Sequence, residues 1–442
     1  MKLKNFLKKN IFINDFKRIK KNLLSFVSDF FLRTIVQIFY YPLMLLSWGI
    51  ETTGTWIFVS SIPLLINIII VDSSLYARQK IIITKINEHD HIYSNSLFLF
   101  LINSIIFLCI FYLFNYYFLE NFEIIKSYSK FDKSFILLIL IVGLTNIIDN
   151  INNFSYTMIE TKGKIYYRNY IDNFFFICQS IIVVISGFYL TNIIYIGFIF
   201  IAISLSKAIL VFYIKNKISN IRFNTKYIEL KKFKIIFNES LRYHLLNLKG
   251  SIDNNGLNLI IGFFFNAEML IVTSTLNVVF KLFYTRFASI VEEILTYEYA
   301  NNFFNKNITK INLLTKGHGY FIIVFSLVFL SFVYFFGDAI YNLWTLNKFI
   351  NYNDLILLVS LEAITLSYFN TNLVLLKSIN RIKDVAIFNL VVTFLSYACM
   401  VILLTFFLEI KIVYYFMIIN STILFIYNMN RKNLILKNIR FN

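Results

Sequence analysis

Residues 96–118 read SLFLFLINSIIFLCIFYLFNYYF, twenty-three residues without one charge. At about 1.5 Å of rise per residue, a helix of that length crosses the ~30 Å hydrocarbon core of a bilayer. Eleven further runs of this kind flank it. They lie at about 23–48, 55–71, 134–157, 170–190, 194–214, 241–266, 268–290, 319–342, 354–376, 385–408 and 412–428. The 442-residue chain is 58% hydrophobic and 15% charged, far from the roughly 25% charged residues of soluble domains. This excludes a disordered chain, a collagen-like chain and an ordinary soluble enzyme. The pattern predicts an all-α, polytopic integral membrane protein with about 12 transmembrane helices in two six-helix lobes. The expected divisions are a basic N-terminal segment 1–22, an N-lobe 23–214, a basic linker 215–240, a C-lobe 241–428 and a basic tail 429–442.

The formal net charge is +18. With the N-terminus inside, 31 of the 42 Lys and Arg fall on the inner face, five outside and six within spans. That asymmetry is a positive-inside signal and expects both termini in the cytoplasm. It also removes the need for a nucleic-acid partner, since Lys231-Lys232-Phe233-Lys234 in the linker suits anionic lipid headgroups. The N-terminal stretch reads as no cleavable signal, because no small-residue cleavage site follows its first apolar run. Expected outside segments such as 119–133 are too short for a folded domain. Cys109, Cys178 and Cys399 sit in apolar runs and form no disulfide framework. Glu88-His89-Asp90-His91 has no second ligand group at zinc-like spacing, and no phosphate-binding loop of the P-loop type occurs. No cofactor is expected. His244 and His318 read as interfacial, and Trp48, Trp56 and Trp344 as interface anchors.

Ionisable residues deep in a span are costly and face a partner or a cavity. Arg33 lies ten residues into the first span, ~15 Å deep. Lys249 and Lys281 lie eight and thirteen residues into the seventh and eighth. Arg242, Arg286 and Lys207 are close enough to inner ends to snorkel. Asp29 and Asp253 each sit four residues from a deep cation, on the same helix face. Two readings stay open: self-neutralising ion pairs, or a cationic cavity between the halves in which Arg33, Lys249 and Lys281 meet an anionic ligand. Asp149 and Glu362 are deep enough to relay a proton or hold a cation, whereas Asp172 reads as a helix-end carboxylate. Gly250, Asn254, Asn255 and Gly256 weaken the seventh span, a candidate moving element, and Pro42 and Pro63 fall in the first two.

The stretch Tyr41–Lys80, YPLMLLSWGIETTGTWIFVSSIPLLINIIIVDSSLYARQK, carries Gly49, Glu51, Gly54 and Trp56 in a Gly-x-Glu-x-x-Gly-x-Trp turn, then Asp72. It resembles the first helical hairpin of the Wzx-like polysaccharide flippases, in the superfamily of multidrug MATE antiporters and the lipid II flippase. Asp72-Ser73-Ser74 lacks the glycine often found there. Trp344–Lys383, with Asn380-Arg381, resembles the second half. The resemblance implies alternating access and a cargo of undecaprenyl-pyrophosphate-linked oligosaccharide, an O-antigen or capsule repeat unit. It implies a bacterial inner membrane, membrane lipids and glycan-assembly proteins such as a polymerase as partners, and coupling to H+ or Na+ through Asp29, Asp149 or Asp253. Alternatives are a multidrug-type antiporter, whose cavity should be acidic, and a membrane-embedded polymerase or glycosyltransferase, which needs a large outside loop.

Overall fold

The computed structural model describes residues 2–66, 70–114, 133–189, 194–304, 307–378 and 383–441. Most of the expected loop 119–133, the segment 191–193 and Asn380-Arg381 lie outside the described residues, as does the side chain of Arg242. Among the described residues every regular element is a helix. Ten helices among the described residues are long and apolar enough to cross a membrane. The remaining two expected spans fall short for different reasons. The second is the 18-residue helix Gly49–Ile66, which ends at the limit of the described residues. The seventh is interrupted and carries Lys249 and Asp253.

The chain divides into two compact units, Met1–Asn247 with Asn254–Leu259, and Leu248–Asp253 with Ile260–Asn442. The first contains α1 (Lys2–Ser47), α2 (Gly49–Ile66), α3 (Ser74–Ile83), α4 (His89–Phe114), α5 (Lys133–Glu160), α6 (Tyr166–Tyr189) and α7 (Ile194–Ile218). Here α5 packs on α7, α1 on α6, and α2 on α5. Pro42 and Pro63 lie inside α1 and α2, each removing one intrahelical donor. Gly49 ends α1 with φ +75°, a left-handed cap that a side chain would strain. Trp48 donates its indole N–H to the Val183 carbonyl (3.1 Å) and meets Trp56 edge-on. Trp56 also packs edge-on against Phe200 and is 6% exposed, so it is a packing residue of this unit instead of an interface anchor.

After α7 the chain runs extended into a short 3-10 turn, Thr225–Tyr227, and α8 (Leu230–Ser251) begins. The expected linker 215–240 is therefore helical at both ends. Lys231, Lys232 and Lys234 lie in the opening turns of α8, since nothing between Leu230 and Lys249 breaks a helix. A π-helical segment, Ile252–Gly256, joins α8 to α9 (Leu257–Phe264). A second, Asn277–Leu282, joins α10 (Ala267–Leu276) to α11 (Phe283–Phe304). The first coincides with the Asn- and Gly-rich run. The second, NVVFKL, has no helix breaker. The second unit is completed by α12 (Ile308–Trp344), α13 (Asn353–Ser378), α14 (Lys383–Phe406) and α15 (Ile410–Phe441). Its centre is α13, which packs against α11, α12 and α15. Asn266 and Asn307 cap α10 and α12 by accepting backbone N–H groups of Met269 and Lys310. His244 and His318 are buried, 7% and 3% exposed, in place of the expected interfacial setting.

Candidate functional site

The second unit buries four charges. Lys249, three residues before the first π segment, pairs with Asp253 inside it, both about 8% exposed. Lys281, inside the second π segment, pairs with Glu362 on α13 at 2.9 Å, the two side chains 7% and 1% exposed. Phe369 stands two turns beyond Glu362 on α13, and its ring lies 4.8 Å from the Lys249 ammonium. The α13 surface thus meets both cations, one through a carboxylate and one through an aromatic face. Asp253 and Lys249 also lie within the electrostatic surroundings of Glu362, which makes the two pairs one cluster. Glu362 Oε2 has no hydrogen-bond partner among the described residues, and the Tyr397 hydroxyl lies beside Asp253. A buried acceptor left open beside π-distorted backbone makes this cluster a candidate site.

In the first unit Arg33 Nε donates to Asp29 Oδ1 at 2.7 Å on α1, and the guanidinium lies over Phe176 of α6 at 5.5 Å. Both side chains are partly open, 35% and 27% exposed. The two terminal guanidinium nitrogens of Arg33 have no hydrogen-bond partner among the described residues. A larger network links α3, α5, α6 and α7. Glu160 accepts from Arg78 (2.6 Å) and Arg168 (2.7 Å), and Asp172 takes Lys207 (2.9 Å) and the Tyr156 hydroxyl (2.8 Å). Asp149 stands 3.7 Å from Lys207.

All three deep cations named from the sequence are therefore ion-paired in the structure. Asp29–Arg33 and Lys249–Asp253 are the i, i+4 pairs that their spacing offered. Lys281 and Glu362 were singled out separately and turn out to be partners across 81 positions. Lys207 does not snorkel away, and Asp172 is no bare helix-end carboxylate: each is the other's partner. The only sequence signal for this network was the Arg168–Asp172 spacing of four, realised at 3.6 Å. Near Glu88, three side chains go to separate partners. His89 contacts the Thr84 carbonyl (3.2 Å), Asp90 accepts the Arg222 backbone N–H (3.0 Å), and His91 stacks on Tyr227. No group of three metal-binding side chains forms among the described residues.

Ten membrane-length helices among the described residues, two compact units and charges paired inside each describe a multi-pass membrane protein. Known structures give that fold a narrower address. A lipid II flippase, MurJ, in an inward closed conformation matches with TM-score 0.68 and 16% identity over 92% of this chain and 87% of that one. An inward-facing multidrug resistance MATE family transporter of the MOP superfamily matches with TM-score 0.65 and 12% identity over 92% and 95%. A MOP superfamily transporter from Pyrococcus furiosus, whose binding pocket is described as of reverse polarity, matches with TM-score 0.62 and 12% identity over 96% of both chains. The chain thus has the fold shared by these transporters and flippases, as the first-hairpin resemblance implied. No family model matches the sequence, and no curated protein is similar to it by sequence.

Proposed function

We propose that the protein is a flippase that carries an undecaprenyl-pyrophosphate-linked oligosaccharide, an O-antigen or capsule repeat unit, from the cytoplasmic to the periplasmic leaflet of a bacterial inner membrane. Both termini are cytoplasmic in this reading, as the distribution of Lys and Arg supports. The observation that carries it is Arg33. Its guanidinium is at membrane depth, half open, and engaged by Asp29 through Nε alone. A planar fork with two free nitrogens suits the parallel oxygens of a phosphate. A pyrophosphate taken up there replaces water around its charge, while its polyprenyl tail stays among the lipids.

Lys249 and Lys281 act in the same reading as further contacts for the anionic headgroup, exchanging Asp253 and Glu362 for phosphate oxygens during alternating access. The carboxylates released by that exchange, with Asp29 and Asp149, are the candidate binders of a coupling H+ or Na+. Glycan-assembly proteins, a polymerase among them, are the expected partners. The test is Arg33→Ala and Arg33→Lys in the native host. Arg33→Ala is expected to reduce surface polysaccharide at unchanged protein level, with partial recovery in Arg33→Lys. Wild-type surface glycan in Arg33→Ala overturns the headgroup assignment.

The neutral sum of Lys249, Asp253, Lys281 and Glu362 favours a second reading, an ion-coupled small-molecule antiporter. Its discriminating outcome is altered resistance to cationic drugs on overexpression, with surface glycan unaffected by loss of the protein.

A further inference from the structure

The inner end of α7 holds a basic residue that no transport reading uses. Lys215 is 2% exposed, yet its ammonium has neither a carboxylate nor a hydrogen-bond acceptor among the described residues. Two rings lie close to it, Tyr93 at 4.9 Å and Phe212 at 5.5 Å. Aromatic faces offset part of a buried charge but accept none of its three N–H donors conventionally. The acid that acts on it through space, Asp90, already accepts the Arg222 backbone N–H. Lys215 borders a cavity of about 580 Å3 within the first unit, between α4, the end of α7 and the extended segment that follows. Arg222 lines the same cavity, exposed, and no acidic residue does. The remaining wall is apolar on the side of Leu97 and Leu101 and amide-rich at Asn216.

We propose that this cavity is a binding site for the headgroup of an anionic phospholipid. The phosphate would lie between the Lys215 ammonium and the Arg222 guanidinium, with Asn216 donating to it. An acyl chain would descend along Leu97, Leu101 and Phe212. The chemistry is that of a phosphate joined to an apolar chain: two cations without a carboxylate demand an anion, and the apolar wall demands a tail. The site stands independently of the transported substrate and lies apart from Arg33 and from the α13 cluster in sequence and in side chains.

The test is native mass spectrometry of the full chain, released from detergent in the presence of phosphatidylglycerol or phosphatidylcholine. Phosphatidylglycerol is expected to be retained about tenfold more tightly than phosphatidylcholine, with that preference lost in Lys215→Met and reduced about fivefold in the exposed Arg222→Gln. Lys226→Gln, a nearby exposed charge outside the cavity, should leave it unchanged. Thermal unfolding supplies a second readout. Lys215→Met removes an unpartnered buried charge, so it should melt no lower than wild type in neutral detergent, while failing to gain the stabilisation that phosphatidylglycerol gives wild type. Equal lipid retention by wild type and both cavity variants overturns the proposal. So does displacement of the lipid by millimolar inorganic phosphate, which would make the cavity a site for the free ion.

Discussion

The Lys281–Glu362 pair allows a prediction with numbers. At 2.9 Å and an effective dielectric of about 20, the attraction is about 6 kcal/mol. Desolvation of two ions costs several kcal/mol each, so the pair as a whole is close to neutral for stability. Losing one member is another matter. Lys281→Met leaves Glu362, 1% exposed, with neither oxygen partnered, since Oε2 is already open. The expected loss is about 3–5 kcal/mol, with Lys249 nearby holding it toward the lower end. Glu362→Gln keeps an acceptor for the ammonium and should cost about 2 kcal/mol. The double variant Lys281→Met/Glu362→Gln removes both charges and should return to within about 1 kcal/mol of wild type. The assay is SDS-induced unfolding of the purified protein in mixed micelles, analysed as a double-mutant cycle. A cost below about 1 kcal/mol for Lys281→Met, or additive single effects, would refute the geometry-based reasoning. If the double variant folds but no longer transports, the cluster has a role beyond holding helices together.

Three further outcomes are expected. Asp172→Asn should destabilise more than Asp149→Asn in the same unfolding assay, by about 2 kcal/mol, because Asp172 is the closer and less exposed partner of Lys207. Gly187→Ala should lower the melting temperature and yield, at a cost of at least ~1–3 kcal/mol, because a Cβ there would stand 1.7 Å from the Trp48 ring and 2.6 Å from Ser47 Oγ. The carboxyl of Glu229 is held below its ordinary value of 4.5, first by the Lys232 hydrogen bond and then by the charges of Lys232 and His91. Its contribution is complete above pH 4.5 and fades as pH falls through the depressed value. Hydrogen-exchange protection factors of residues 222–229, corrected for the intrinsic rate, should therefore fall below that pH in wild type, and Glu229→Gln should abolish the step.

The sequence carried what is local to one helix. Apolar runs placed ten of the helices, and a spacing of four found Asp29–Arg33 and Lys249–Asp253, because helix geometry alone brings those side chains together. It did not carry the register between helices. Nothing in the residues around Lys281 names Glu362, and Lys207 gives no hint of Asp172, since packing between helices decides both. The first π segment had a warning in its Asn and Gly residues. The second had none, because NVVFKL contains neither Gly nor Pro to mark it. The same limit applies to Trp56, whose indole suits a membrane boundary and a packed interior equally well.

A π segment is a helix with one residue too many in a turn. That surplus is not tied to one place. If it moves along the helix by a turn, every residue it passes swings by about 100° and advances by about 1.5 Å, while the hydrogen-bond ladder closes behind it. Ile252–Gly256 holds Asp253, and Asn277–Leu282 holds Lys281. Migration of either surplus residue would therefore turn Asp253 or Lys281 relative to its neighbours without unfolding a helix. If the chain carries a charged cargo as proposed, two such slip points give the charged faces a way to turn while their helices remain threaded through the bilayer.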